Sequence, residues 1–515
     1  MSSPGPLSLA PAIVAIGLSL ITKDVVVSLG AGVLIAGFIA TSSLGGGLLH
    51  AIDGTIVNAL TDADHAKTLL FTLIIGGMVG VIGTSGATAS LVEALARRAK
   101  TPRQVQVLSW FAGMLVFFDD YANCMIVGSA MGPLYDRHKI PREKLAYIVD
   151  STAAPVASLA LVSTWVGFEV GVVQEGLKVA GQDYEPYSFF IQSWPFRFYP
   201  ILAMLLVGMV TYSGRDLGPM AKLTYRPPVK GGADAEESAT QARPPWWMAL
   251  VPILTLLGVT LAEIVRTGSA KAPPDPALFQ ILDGADGYGA IVHGSFAGLA
   301  VAFILVLSTR TMFLSATTHA MVGGMKVMVE ALIVLVLAWS LSAAMKELQA
   351  PQYLVSLIGD AIPTWSLPTL IFIVGAAVSF AVGSSYTTMG IMMPIAIPLA
   401  FEMVRSSSGG EPPVLALAAA GSVLAGACFG DHCSPISDTT VLSSIGSGSD
   451  HLSHVRTQIP YAVLVGVVSV VFGTVPAGLG LNPWLGLLVG LVSLGLVLRL
   501  RGETSSYGQS PKSVS

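Results

Sequence analysis

The chain has 515 residues, 53% of them hydrophobic and only 11% charged, and its mean hydropathy is +0.71. That leaves too little polar surface for a soluble globule of this length, so the chain reads as an all-α polytopic membrane protein. A formal net charge of −4 argues against a nucleic-acid partner, which needs a basic patch, and Cys124, Cys428 and Cys433 fall in or beside apolar segments and imply no disulfide framework.

The first segment, MSSPGPLSLAPAIVAIGLSL, lacks the basic n-region and small-residue cleavage site of a secretory signal, so its apolar run reads as a retained helix. Apolar runs of helical length lie at 8–22, 25–42, 68–86, 145–172, 188–212, 246–266, 287–307, 326–345, 414–445, 458–478 and 483–500. At roughly 20 residues per span they predict about 11 transmembrane helices. Two further apolar stretches, 105–134 and 367–401, carry a polar interruption in the middle. Each half is too short for a comfortable crossing, which predicts re-entrant hairpins.

Basic residues set the orientation. Arg97, Arg98, Lys100 and Arg103 precede the first hairpin and Arg137, Lys139, Arg142 and Lys144 follow it, so both its ends should be cytoplasmic. The second hairpin is flanked by the cation-poor segments 350–365 and 405–413 and should enter from outside. The same frame puts the N-terminus outside, with the acidic loops at Glu175, Asp183 and Glu185 and at Asp275, Asp283 and Asp286. It puts a linker carrying Arg215, Lys222, Arg226, Lys230 and Arg243 inside, together with the C-terminus. Five crossings and one hairpin make an odd number, so the halves should form an inverted repeat, an arrangement common in secondary transporters. The expected division is 1–213 for the first repeat, 214–245 for a cytoplasmic linker, 246–480 for the second repeat, and 481–515 for a last transmembrane helix and cytoplasmic tail. Aligning Tyr121 with Tyr386 also brings Pro133 onto Pro398 and sets the tips FFDDYANC and VGSSYTTM opposite each other.

Charge inside a membrane costs roughly 2.5 to 3.5 kcal/mol per residue on insertion scales, so it usually lines an ion or proton path. Asp119, Asp120, Asn123 and Asp150 form one such cluster, and FGDHCSPISDTT, with Asp431, Ser434, Asp438 and Thr439, forms another. Pro155 and Pro435 should mark unwound midpoints of crossing helices, where half-helix ends present carbonyls to cations and amides to anions. Sodium needs five or six oxygens. Asp120, Asp150 and Asp438 are the candidate charged ligands, and Asp119, Asn123, Ser151, Thr152, Ser434 and Thr439 could complete the shell. Of the Asp119–Asp120 doublet, Asp120 is favoured because consecutive helical residues point about 100° apart. Plainer roles stand beside these: Asp431 or Asp438 as a helix cap, Glu330 as a helix partner of Lys326, Glu169 as a pathway acid or an exterior-end residue, and His432 as a proton carrier or a hydrogen-bonding spacer.

The segments FFDDYANCMIVGSAMGPLYDRHKIPREKLAYIVDSTAAPVAS and AGACFGDHCSPISDTTVLSS resemble the NhaC-type sodium/proton antiporter family of the broader ion-transporter superfamily. The resemblance implies a dimer-forming scaffold domain, a transport domain with two re-entrant hairpins and two broken helices, and an elevator-like movement. Relatives in that family also exchange malate for lactate or carry amino acids, and hairpin-tip hydroxyls help bind substrate carboxylate in related proteins. Here those positions are Ser384, Ser385 and Thr387. The expectation is a secondary-active sodium/proton antiporter of the cell (inner) membrane, working as a homodimer in the lipid bilayer with no cofactor besides the sodium it moves. The alternative is a sodium-coupled carrier of a small carboxylate or amino acid. An intramembrane enzyme is disfavoured because no paired nucleophile and base stand out.

Overall fold

Long runs of apolar residues can cross a bilayer only if every backbone polar group is satisfied within the segment, and the chain meets that requirement with helices almost throughout. The computed structural model describes residues 5–22, 24–97, 99–225, 244–271, 281, 284–350, 353, 362–404 and 412–504. Arg98, Arg226, Lys230, Arg243, Asp275, Asp283 and the tail 505–515 lie outside the described residues.

Helices α1 (Ala10–Thr22), α2 (Val25–Thr41) and α3 (Ala63–Thr84) lead into a first hairpin, α4 (Pro102–Leu115) and α5 (Asp120–Arg137). After it come α6 (Arg142–Leu159), α7 (Thr164–Val179) and α8 (Phe198–Ser213). Beyond the linker run α9 (Trp247–Lys271), α10 (Gly287–Ser308), α11 (Leu314–Val327) and α12 (Val329–Glu347), then a second hairpin, α13 (Leu367–Val382) and α14 (Ser385–Val404). The order closes with α15 (Val414–Cys433), α16 (Asp438–Ser447), α17 (His451–Ser469) and α18 (Pro483–Arg501). A two-residue antiparallel ladder, β1 (Arg215–Asp216) with β2 (Glu503–Thr504), ties the start of the linker to the end of α18.

Among the described residues, nine helices are long and apolar enough to cross a membrane, or ten if α6 and α7 count as one bent span. The nine include both arms of the second hairpin, Thr364–Val382 and Ser385–Val404, so these halves are long enough to cross, contrary to the sequence-based expectation that they are too short. Pro6–Leu18, Val26–Thr41 and Phe198–Ser213 are shorter apolar helices. The chain is thus a multi-pass membrane protein. Its lipid side shows in α18, where Leu485, Leu488, Val492 and Leu496 are all more than half exposed while Leu487, Leu494 and Leu498 face inward. Helices α3 and α11 touch backbone to backbone: a Cβ on Gly324 would come within 2.1 Å of the Gly76 carbonyl, a spacing only small residues permit.

The expected break at Pro155 is displaced. Pro155 sits inside α6, which runs on to Leu159, and the chain turns by 49° between Leu159 and Thr164, so the run 145–172 is two helices. A proline removes one N–H donor, which a packed membrane helix tolerates. Ser163 makes the turn: its hydroxyl accepts from the Val166 N–H at 3.1 Å as the cap of α7 and donates to the Ala157 carbonyl at 2.7 Å. The other break falls where Pro435 was expected to put it, in the four residues between Cys433 and Asp438, and divides the run 414–445 into α15 and α16.

Candidate functional site

Each hairpin tip is docked against a broken helix. In the first, Asp119 caps α5 by accepting from the Ala122 N–H at 2.7 Å, and its other oxygen accepts from the Thr164 hydroxyl at 3.2 Å. The Thr164 N–H donates to the Phe118 carbonyl at 3.1 Å, which seats the tip on the α6–α7 break. In the second, Gly383 turns the chain with φ +74, and a side chain there would strike the Ile436 carbonyl. The Ser434 hydroxyl donates to the Phe380 carbonyl at 2.8 Å, which seats this tip on the α15–α16 break.

The two tips then reach across to each other's partner. The Tyr121 hydroxyl donates to Asp438 at the start of α16. The Tyr386 ring packs on Trp165 and Phe168 of α7, with centroids 5.0 and 4.8 Å away. Tyr121 and Tyr386 are each the second residue of their return helix, the register that the sequence alignment pairs.

Between them lies a cavity of about 70 Å³ lined by Asp120, Tyr121, Glu330, Ser384, Tyr386 and Asp438 together with Val327, Met328, Ala331 and Val334. Asp120 is buried on one wall, whereas Asp438 and Glu330 are exposed toward its open side. Two larger cavities, of about 160 and 310 Å³, are walled by apolar side chains such as Ile16 or Phe372 and offer an ion no ligand.

The other expected residues are placed around this cavity rather than in it. Asn123 is a stitch: its amide donates to the carbonyls of Gly113 at 2.7 Å, Thr152 at 2.9 Å and Val116 at 3.3 Å, joining both hairpin arms to α6. Thr152 returns its hydroxyl to the Ile148 carbonyl at 2.8 Å. Asp150, fully buried, accepts from Thr440 Oγ1 at 3.1 Å and Gln458 Nε2 at 2.5 Å. Ser151 faces a separate small space with Tyr199, His432 and Gln458. Asp431 accepts from the Thr439 hydroxyl at 2.7 Å, and Ser385 donates to the Ala427 carbonyl at 3.2 Å. Among the described residues no three Asp, Glu, His or Cys side chains converge as a closed metal cage.

Five of these side chains nonetheless keep a buried oxygen that meets no hydrogen-bond partner: Asp120 Oδ2, Asn123 Oδ1, Asp150 Oδ1, Asp431 Oδ1 and Thr387 Oγ1. An acceptor or hydroxyl buried in this way costs about 1–3 kcal/mol unless water, a proton or a cation completes it.

Several plainer sequence readings are decided by the geometry. The cap of α16 is Ser437, which accepts from the Thr440 N–H at 3.4 Å, so neither Asp431 nor Asp438 fills that role. Glu330, read from sequence as a partner of Lys326, lines the cavity instead. A lone carboxylate midway along the continuous apolar run Leu314–Glu347 was the signal for it. Glu169 is fully buried in an ion pair with Arg197 at 3.1 Å and accepts from the Ser158 hydroxyl at 2.6 Å. His432 meets the Tyr199 hydroxyl at 3.0 Å through Nδ1.

Comparison with known proteins gives this arrangement a context. The model of the Na+/H+ antiporter family matches residues 156–475. An uncharacterized protein of Haemophilus influenzae is 30% identical over 499 residues, 95% of this chain and 94% of that one. The Na(+)/H(+) antiporter NhaC of Alkalihalophilus pseudofirmus is 31% identical over 147 residues, which span 24% of this chain and 30% of that protein. In fold the chain is similar to the YdaH transporter of Alcanivorax borkumensis, with a TM-score of 0.58 and 19% identity over 85% of this chain and 90% of that one.

Proposed function

The chain belongs to the Na+/H+ antiporter family, and from that premise we propose that it exchanges sodium for protons across the cell membrane by alternating access, as a transporter and not an enzyme. The observation that carries this reading is the cavity. Its carboxylates Asp120 and Asp438 come from opposite halves of the chain, and its volume of about 70 Å³ suits a cation with a few waters, whereas sites for organic ligands usually occupy about 300–1,000 Å³. In this reading Asp120 and Asp438 are the charged ligands of sodium in one state and take up protons in the other. Asp119 and Asn123 hold the tip in place, and Glu330 draws cations to the open side. Asp150, Ser151 and Thr152 on α6 and Asp431, Ser434 and Thr439 around the second break support the walls.

The same reading takes the halves 1–213 and 246–480 as an inverted repeat joined by a cytoplasmic linker, with eleven crossings, two re-entrant hairpins, an exterior N-terminus and a cytoplasmic C-terminus. The matched positions of Tyr121 and Tyr386 and the docking of each tip on a break support it. A homodimer rests on the family resemblance.

One observation favours a second reading, a sodium-coupled carrier of a small carboxylate or amino acid. Ser384 at the second tip lines the cavity, so a hydroxyl able to donate to a carboxylate stands beside Asp120 and Asp438. Purified protein in proteoliposomes with the membrane potential clamped separates the two. A change of interior pH driven by sodium alone establishes cation/proton exchange. Flux only when an organic acid accompanies sodium overturns it in favour of the carrier.

A further inference from the structure

Asp150 begins a run of buried polar side chains that cation binding in the cavity does not use. Gln458 Nε2 lies 2.5 Å from Asp150 Oδ2 and 3.0 Å from the His432 carbonyl. Carbonyls and carboxylates accept, so the amide hydrogens are there and Gln458 Oε1 faces His454 Nε2 at 2.9 Å. That nitrogen therefore carries a hydrogen. His451 Nε2 is 2.7 Å from the Pro435 carbonyl and carries one too.

The remaining nitrogens of both rings converge on one hydroxyl. Ser444 Oγ is 2.9 Å from His454 Nδ1, 3.1 Å from His451 Nδ1 and 2.7 Å from the Thr440 carbonyl. With both imidazoles neutral, three acceptors compete for the single hydroxyl hydrogen, and at least one Nδ1 lone pair is left facing an oxygen lone pair. One added proton resolves this. The ring that gains it donates to Ser444 Oγ, and Ser444 donates to the other ring. A second proton would set two imidazolium rings on one oxygen, against their mutual repulsion. Ser444 and His454 are buried, at 1% and 0% exposure, while His451 is half-buried and connects the group to the surface.

We propose that His451, Ser444 and His454 form a binding site for a single proton, separate from the cation cavity, whose occupancy is transmitted to the Asp150 carboxylate through Gln458. Carboxylates predominate on the helices packed around it: Asp450 at the cap of α17, Glu143 and Asp150 on α6, and Asp431 and Asp438 beyond. Glu143 accepts from the Ser453 hydroxyl at 3.0 Å. Opposing them are His432 on α15, Arg456 on α17, and Arg142, which is itself paired with Asp136 of α5 at 2.7 Å.

Proton binding here stands on geometry, and only its effect on transport rests on the antiport reading. The test follows imidazole nitrogen resonances of the full chain, labelled with 15N-histidine in lipid nanodiscs, across pH 5–9. Wild type is compared with H451Q, H454Q and S444A. The expected result is one shared titration. Replacing either histidine displaces the midpoint of the other by about one pH unit or more, and S444A uncouples the two while keeping both rings. Midpoints that stay put when the neighbouring ring is replaced would overturn the site, and S444A decides the matter if a glutamine variant does not fold. Sodium-driven flux in proteoliposomes reads the coupling to Asp150: a pH profile displaced by a similar amount in S444A supports it, and an unmoved profile refutes it. Absence of sodium-driven flux from wild type at every pH would sink the antiport reading while the resonances still judge the proton site.

Discussion

The Tyr121 hydroxyl donates to the Asp438 carboxylate, and this one bond joins the return arm of the first hairpin to the second half of the broken span on the other side of the chain. It holds Asp438 at the edge of the cavity that Asp120 lines from behind. Hydrogen bonds to a charged group contribute about 1.5–3 kcal/mol. Tyr121→Phe removes the donor and keeps the ring, so sodium-driven proton flux should fall by about tenfold or more while the protein stays monodisperse. Flux at wild-type level would mean that Asp438 needs no such anchor.

Glu330 stands on α12, outside both hairpins and both breaks, yet it lines the same cavity on its exposed side. A carboxylate at such a mouth raises the local cation concentration, an effect that ionic strength screens. Glu330→Gln should raise the sodium concentration for half-maximal flux by about threefold to tenfold at low salt, with little change in the maximal rate. The difference from wild type should shrink when choline chloride is added. An unchanged half-saturation would assign Glu330 to the lipid-facing surface instead.

The polar interruptions were legible in sequence because a carboxylate or a proline has few places in an apolar run. Hence the tips at Asp119–Asp120 and Gly383, and the break at Pro435, stand where charge and turn chemistry put them. Pro155 misled because its one missing donor does not end a helix, whereas the Ser163 cap, which does begin one, resembles many other serines in this chain. Glu330 was assigned to Lys326 by spacing along one helix, since its real neighbours, Asp438 and Ser384, are distant in sequence. The histidines around Ser444 gave no signal because Ser444 and the Pro435 carbonyl reach them from outside α17, although His454 and Gln458 sit one turn apart on it.

Asn123 offers its amide hydrogens to three carbonyls at once, from Gly113, Val116 and Thr152. An aspartate has the same shape but only accepts. Asn123→Asp should therefore set a buried negative oxygen against those carbonyls and cost more than the about 1–3 kcal/mol of a neutral unsatisfied group. Asn123→Ala, which leaves no opposing charge, should be milder. Size-exclusion profiles and thermal midpoints in detergent would show it, and an aspartate variant as stable as wild type would remove Asn123 from this role.

Asp62 sits in the turn ahead of α3, outside the spans. Burial works to raise its carboxyl, but the Lys178 ammonium at 2.8 Å and the His65 N–H at 3.1 Å hold it down at about 2, below the ordinary 3.8. A depressed folded value means that the contribution is full above about pH 4 and disappears as pH falls through 2. Wild type should thus exceed Lys178→Met in thermal midpoint at pH 6 and lose that advantage near pH 2. Both side chains are about one-third exposed, so the advantage should be about 1 kcal/mol or less. An advantage independent of pH would point to packing of the lysine stem.

Arg197 and Glu169 form an ion pair with no exposure to solvent, and the pair anchors the first break. Arg197 Nη1 also donates to the Ser158 carbonyl at 2.5 Å, just before the chain leaves α6, and Nη2 donates to the Phe190 carbonyl and the Ser193 hydroxyl, each at 3.2 Å. Removing one member strands a charge in the core, which typically costs 3–5 kcal/mol, whereas replacing both with apolar side chains of similar volume is often close to neutral. Arg197→Met should therefore lower the thermal midpoint far more than the double variant Arg197→Met with Glu169→Met. The double variant should recover fold but transport poorly, because the Ser158 carbonyl and the turn that seats the first hairpin lose their fixed partner. Equal destabilisation by the single and double variants would show that the arginine acts through its backbone contacts alone, with the carboxylate a bystander.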